Sequence, residues 1–300
     1  MVSYPALSKV QQQELPELIR AKALPIMFDD STHHLWHCET NDGPMMLKVC
    51  NSQNVNTSSF WQGMKILFDV DLPNQIDKFD QLYSKISTFS PLSIPHFMAS
   101  GSVDKDTPSS AYILAQFLSG TMVEPVSIDD EMVADLAEHI SVLHHNQRAT
   151  FGTVYSNGVT VSQWTNQLQD TLKILAGKQS DVISDTLLND VLVESDRYKV
   201  DYFVPIMPDL RWDQFLQKEG KLSALVDLDA IVYGPRELEL VLLEFLLDEQ
   251  QAIIFLEKYQ QTHSLPDLDK VRKSYRLLLF MMNVLGEKNI DAWMQAPTRF

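Results

Sequence analysis

Apolar and polar positions change rhythm about a third of the way along this chain of 300 residues. Residues 33–40 (HHLWHCET) and 45–50 (MMLKVC) are short β-prone runs on either side of Asn41-Asp42-Gly43-Pro44. Turn residues between two such runs predict a hairpin. Residues 59–70 (SFWQGMKILFDV) have helical apolar spacing, a Pro- and Ser-rich stretch from Ser87 to Pro95 breaks it, and Ala111–Leu118 (AYILAQFL) reads as a buried strand. Beyond Ser119-Gly120 the period becomes helical. Ser127 with Asp130 three residues later is a capping-box-like start, and Asp129 and Glu131 suit the positive end of a helix. Met132, Leu136, Ile140 and Leu143 then share one face. Ser162 is expected to open a second helix with Trp164, Leu168, Leu172 and Leu175 inward, and residues 237–259 and 268–286 to form two further long helices. Short β-like pieces, Ala224–Leu228 among them, lie within 202–233. The expectation is an α+β protein of two lobes. Residues 1–118 form a smaller β-rich lobe and 119–300 a larger helical lobe, with a ligand cleft between them.

Composition narrows the classes of function. Apolar residues make up 45% of the chain, enough for a sizeable core. Asp+Glu at 40 against Lys+Arg at 24 gives a net charge of −16, which disfavours nucleic acid and anionic membrane as partners. The N-terminus has no apolar stretch after a basic start. The longest apolar runs, Leu277–Met282 and the one around Leu240–Leu247, are far shorter than the roughly 20 residues of a membrane span. Two cysteines, Cys38 and Cys50, form no disulfide framework. A cytoplasmic protein is expected.

The segment richest in chemistry is 207–241, MPDLRWDQFLQKEGKLSALVDLDAIVYGPRELELV. Asp209 is followed by Gln214 and then by Asp227 on a short β-like run, after which Tyr233-Gly234-Pro235-Arg236-Glu237 opens a helix. This order resembles the aminoglycoside-phosphotransferase and fructosamine-kinase superfamily, which has a protein-kinase-like fold. Its members carry H-G-D-x-x-x-x-N, a metal-binding Asp about 20 residues on, and a tyrosine–glycine turn into a helix. The run YGPRELEL is similar to that of fructosamine kinases, and Leu143-His144, Phe151-Gly152 and Trp164 also look like that family. The resemblance covers roughly residues 25–285. It implies a bilobal kinase-like fold and an ATP- and Mg²⁺-dependent phosphotransferase acting on a small molecule. Asp209 would be the catalytic base, Asp227 and Gln214 the metal ligands, and Lys48 in MMLKV the phosphate clamp. Ser31 would lie in the phosphate-covering turn, and the strand and hinge ending in Gln116 and Leu118 would hold adenine through its backbone. Glu239 falls where the family has an acidic residue that supports the catalytic loop. The acidic balance favours a cationic acceptor such as an amine.

Several positions depart from that pattern. The phosphate-covering turn reads Asp29-Asp30-Ser31 where the family has paired glycines. Like charge about 5 Å from a triphosphate costs on the order of 3 kcal/mol per pair at an effective dielectric near 20. Counting along SFWQGMKIL puts Gln62 or Gly63 at the place of the helix glutamate that pairs with the lysine. His-Gly of the catalytic loop is Met207-Pro208, and Gln214 replaces Asn, moving its amide by one methylene. The rival expectation is therefore a pseudokinase, a binding module with a protein partner on the same fold.

Blander readings weigh against each residue. Asp209 and Asp227 would serve equally as a loop cap and a strand end, and Lys48 as a surface strand lysine; only their order and spacing raise them. Asp229, two after Asp227, is left unassigned. His33, His34 and His37, then His144 and His145, suggest metal, but neighbours on a strand face opposite ways and no set has zinc spacing. Ser-His-Asp hydrolysis has no G-x-S-x-G support.

Overall fold

A computed structural model describes residues 2–25, 31–102 and 110–300. Asp29 and Asp30 of the expected phosphate-covering turn lie outside the described residues. The first sheet is built from β1 (Leu18–Ala23), β2 (His33–Thr40), β3 (Gly43–Cys50), β4 (Phe97–Gly101) and β5 (Tyr112–Gln116), in the order β1-β2-β3-β5-β4 with every pair antiparallel. The β2–β3 hairpin turns on Asn41-Asp42. Gly43 takes a positive φ of 108° there, and Thr40 Oγ1 accepts from the Asp42 N–H at 3.2 Å.

Strand alternation gives this sheet two covered faces. Leu47 and Val49 of β3, Tyr112 and Leu114 of β5, and Cys38 of β2 pack outward under an N-terminal arm that contributes Tyr4 and Leu7. The arm is tied down by Tyr4 Oη to Pro16 O at 2.8 Å and Tyr112 Oη to Gln11 O at 3.3 Å. Cys50, Ile113 and Ala115 point the other way, into the main core.

Four helices separate β3 from β4: α1 (Ser52–Thr57), α2 (Ser59–Phe68), α3 (Leu72–Gln75) and α4 (Phe79–Phe89). The chain first leaves the sheet. α2 packs on the helical lobe so closely that a Cβ on Gly63 would stand 2.6 Å from Met282 Cγ. α4 brings the chain back against β4, with the Tyr83 and Phe97 rings 5.6 Å apart.

The helical lobe follows the order β6 (Thr121–Met122), α5 (Asp130–His144), β7 (Thr150–Thr153), β8 (Val159–Thr160), α6 (Trp164–Gly177), α7 (Asp185–Ser195), β9 (Val204–Ile206), β10 (Phe215–Lys218), β11 (Lys221–Leu225), β12 (Val232–Gly234), α8 (Arg236–Leu246), α9 (Glu249–Tyr259), α10 (Arg272–Met281) and α11 (Ile290–Met294). The small sheets run β11-β10-β6 and β8-β7-β12-β9. Phe151 of β7 stands edge-on to Trp164 of α6 at 5.0 Å and contacts Phe203 at 5.3 Å, joining strand and helix layers.

The α+β, bilobal, kinase-like layout matches the expectation, while several boundaries move. Asp129, not Ser127, caps α5, its carboxylate accepting from Met132 N at 2.9 Å. Ser127 ends a 3₁₀ turn and donates to Glu124 O. Ser162 also falls in a 3₁₀ turn, and α6 begins at Trp164. The expected helix 237–259 is two. Asp248 and Gln251 form a reciprocal capping box at 2.8 and 3.0 Å, and this local hydrogen bonding overrides the continuous apolar period. The last long helix is shorter than 268–286, ending before Asn283, which has a φ of +58°.

Candidate active site

Lys48 lies mid-strand in β3, paired with Leu35 and Ile113, on the face that looks into the cleft. Its Nζ reaches Asp227 Oδ1 at 2.8 Å, across 179 residues of sequence. Asp227 follows β11, and the strand end is fixed by the Val226 N–H donating to Gln214 O at 3.0 Å. Burial opposes ionisation of both groups, but each charge holds the other. Lys48 is driven well above its usual range by Asp227 and Asp229, and the Lys48 charge and hydrogen bond bring Asp227 below the carboxylate range.

Asp209 sits in a loop held from beneath. The Met207 N–H donates to Glu239 Oε1 at 2.7 Å, and Glu239 Oε2 takes the proton of His144 Nε2 at 2.8 Å. His144 Nδ1 is paired with Tyr259 Oη at 2.8 Å. A carboxylate only accepts, so this chain of bonds fixes the imidazole with its proton on Nε2. Glu239 is wholly buried and has the supporting role the sequence suggested. Met207 itself turns into the core, so the polar anchor survives in its backbone alone.

Gln214 Nε2 donates to Asp209 O at 3.1 Å, and its Oε1 accepts from the Arg211 N–H at 3.1 Å. The amide thus closes the loop on both sides. Burial, reinforced by the charge of Asp227, pushes Asp209 up to about 7 against the pull of Arg211 and Gln214. A carboxyl poised there suits proton transfer near neutrality.

On the hinge side, the Gln116 N–H is engaged by His96 O at 2.8 Å and that of Phe117 by Pro44 O at 3.0 Å. Both hinge amides are therefore used by the sheet before Leu118. Ser31 offers its carbonyl to Asn54 Nδ2 at 2.9 Å and stands beside the start of α1. The structure thus brings Lys48, Asp209, Gln214 and Asp227 together, whereas Ser31 lies beside α1, and Gln116 and Leu118 lie at and just past the end of β5.

Three residues near Lys48 were not singled out as site residues in the sequence. Asp229 Oδ2 lies 3.6 Å from Lys48 Nζ and 3.6 Å from His33 Nε2. Asp229 and the His33 ring are buried, and neither Asp229 oxygen nor His33 Nε2 has a hydrogen-bond partner among the described residues. Burial and the Asp227 charge raise the Asp229 pKa, and burial lowers that of His33. Tyr83 of α4, also buried and with an unpartnered hydroxyl, is within electrostatic reach of Lys48 and Asp229. Gln62 and Gly63, expected at the helix-glutamate place, are elsewhere. Gln62 bonds Asn56 O and Lys178 Nζ, and Gly63 abuts Met282. The helix that faces Lys48 is α4, and it presents a tyrosine.

The fold is that of solved phosphotransferases. A Haemophilus somnus protein assigned as a fructosamine-3-kinase aligns with a TM-score of 0.64 at 12% identity, covering 96% of this chain and 94% of its own. Macrolide 2′-phosphotransferase from Brachybacterium faecium, as the apoenzyme, gives 0.59 at 12% identity over 96% and 97%. The GDP and kanamycin complex of an aminoglycoside phosphotransferase gives 0.57 at 14% over 92% and 87%. No protein-family model and no curated protein sequence matches the chain. Among the described residues, no helix is long and apolar enough to cross a membrane.

Proposed function

We propose that this chain is a nucleotide- and Mg²⁺-dependent phosphotransferase acting on the hydroxyl of a small amine-bearing or sugar-like molecule in the cytoplasm. The observation that supports this best is the convergence of Lys48 with Asp227 and the Asp209 loop from two distant stretches of sequence into one cleft. Phosphoryl transfer asks for little else: charge neutralised on the phosphates and a hydroxyl held in line. Lys48 supplies a buried cation for the phosphates. Asp209, half-buried with a raised pKa, accepts the proton of the acceptor hydroxyl.

The donor set suits Mg²⁺, a hard cation commonly held by one or two carboxylates together with substrate phosphates. The side chain of Asp227 is 42% exposed and keeps one oxygen clear of Lys48, so it can turn to a metal. Gln214 Oε1 contributes through its remaining lone pair. When bound, the ion would draw charge from the transferring group. Leu118 is the hinge position with an amide left for adenine, Gln116 offers its carbonyl, and Ser31 borders the phosphate end.

A second reading, a pseudokinase that binds a protein partner, is favoured by two observations. The Gln214 amide is already engaged within its loop, and Lys48 is closed onto Asp227. The deciding experiment is nucleotide turnover against a panel of amines, sugars and aminoglycosides, in the unaltered protein and in Asp209→Asn. Loss of turnover by about 10²–10⁴-fold in a folded variant is expected. Equal turnover would overturn the assignment of Asp209, and no turnover or nucleotide binding in the unaltered protein would favour the second reading.

A further inference from the structure

A phosphate-clamping lysine has to be held while the metal claims its nearest carboxylate. In this chain α4 brings the phenol of Tyr83 within electrostatic reach of Lys48, and α2 turns Gln62 and Gly63 toward the helical lobe. What remains beside Lys48 is Asp229. Its side chain is 4% exposed, against 42% for Asp227, so Asp227 can swing outward and Asp229 cannot. The Leu228–Ile231 turn, with Ile231 N donating to Leu228 O at 3.0 Å, fixes its position. Its Oδ2 needs to close only from 3.6 Å to a normal hydrogen-bond length to take the Lys48 ammonium. A buried carboxylate with no hydrogen bond is costly unless a cation is at hand.

We infer that Asp229 is the positioning residue for Lys48, replacing the missing helix carboxylate and retaining the lysine when Asp227 turns to a metal–nucleotide complex. The inference deepens the phosphotransferase reading, but the Lys48–Asp229 pairing has a test of its own. In the nucleotide-free protein, Asp229→Asn, Lys48→Met and their combination form a cycle of melting temperatures. Without Lys48 the Asp229 charge is uncompensated, so Asp229→Asn should shift the melting temperature upward by about 3 °C or more relative to its shift in the unaltered chain. Equal shifts in the two backgrounds would overturn the pairing.

Thermal shift with ATP and Mg²⁺ gives the second readout. Asp229→Asn should raise the half-saturating nucleotide concentration about 10-fold, equivalent to about 1.4 kcal/mol. Adding Tyr83→Glu, which returns a carboxylate to the helix facing Lys48, should restore it to within about 3-fold, a rescue that a purely structural Asp229 would not show. An unchanged half-saturation in Asp229→Asn would sink the positioning role. Coupling in the cycle with no nucleotide response from the unaltered protein would leave the pairing standing and remove the phosphotransferase reading instead.

Discussion

Two regions of the molecule bury carboxylates in different ways. In the helical lobe, Glu244 is fully buried and accepts from Arg272 Nε at 3.0 and 3.1 Å, Arg276 Nη2 at 2.7 Å and the Arg299 N–H at 3.3 Å. Arg272 and Arg276 use further donors on Phe300 O, Met294 O, Ala296 O and Pro297 O. In the cleft, Asp229 and Tyr83 are buried and the His33 ring is 11% exposed, and each carries a side-chain polar atom without a partner among the described residues. Arg276 Nε and Arg299 Nε have no partner among the described residues, but the Glu244 carboxylate itself is saturated, and a carboxylate so held keeps one arrangement and resists change. An unsaturated one is unstable as it stands and is improved by whatever brings the missing charge or hydrogen bond, as expected where a ligand is to be received.

The contrast can be broken by substitution, and the largest effect belongs to the saturated side. Glu244→Ala strands two guanidinium groups and should cost about 3–5 kcal/mol in urea unfolding; a loss below about 1 kcal/mol would show that the network is ornamental. Tyr259→Phe, which removes the hydroxyl from His144, should cost about 1–2 kcal/mol by the same measurement.

Asp209→Asn should act in the other direction and depend on pH. Burial pushes the carboxyl up to about 7 in the folded chain against its ordinary 3.8, so between these values the native state binds more protons than the unfolded one. Stability contributed by this group therefore falls as pH rises from about 4 to 7 and levels off above. The variant should melt about 2–4 °C above the unaltered protein at pH 8 and level with it near pH 4. A variant less stable at pH 8 would contradict the burial argument. Smallest of all should be Tyr83→Phe. Its hydroxyl has no partner among the described residues, so calorimetry should find a change under about 0.5 kcal/mol.

Sequence carried some of this and not the rest, for identifiable reasons. Lys48 was readable because a charged residue stood inside an apolar strand after a recognisable turn. Asp209, Gln214 and Asp227 were readable because their spacing is local to one loop and one strand. Asp229 was not, because its direction depends on the turn closed by Leu228 and Ile231, which no periodicity encodes. Counting from Lys48 to the next amphipathic helix led to Gln62 and Gly63. The chain instead visits the helical lobe through α2 before α4 returns to the sheet, and only packing reveals which helix comes back. Hydrophobic period missed the break at Leu247 because the apolar residues continue through it while Asp248 restarts the hydrogen bonding.

The first sheet has one more effect, on covalent chemistry. Cys38 is sealed beneath the N-terminal arm and Cys50 faces the main core, so the sheet itself stands between the two sulfurs. Both are buried, and burial keeps both thiols protonated, Cys38 up to about 11 and Cys50 up to about 12. A disulfide needs side chains that converge, and an oxidant needs an accessible thiolate. The folded chain provides neither, so it can move from reducing to oxidising surroundings without joining its two cysteines.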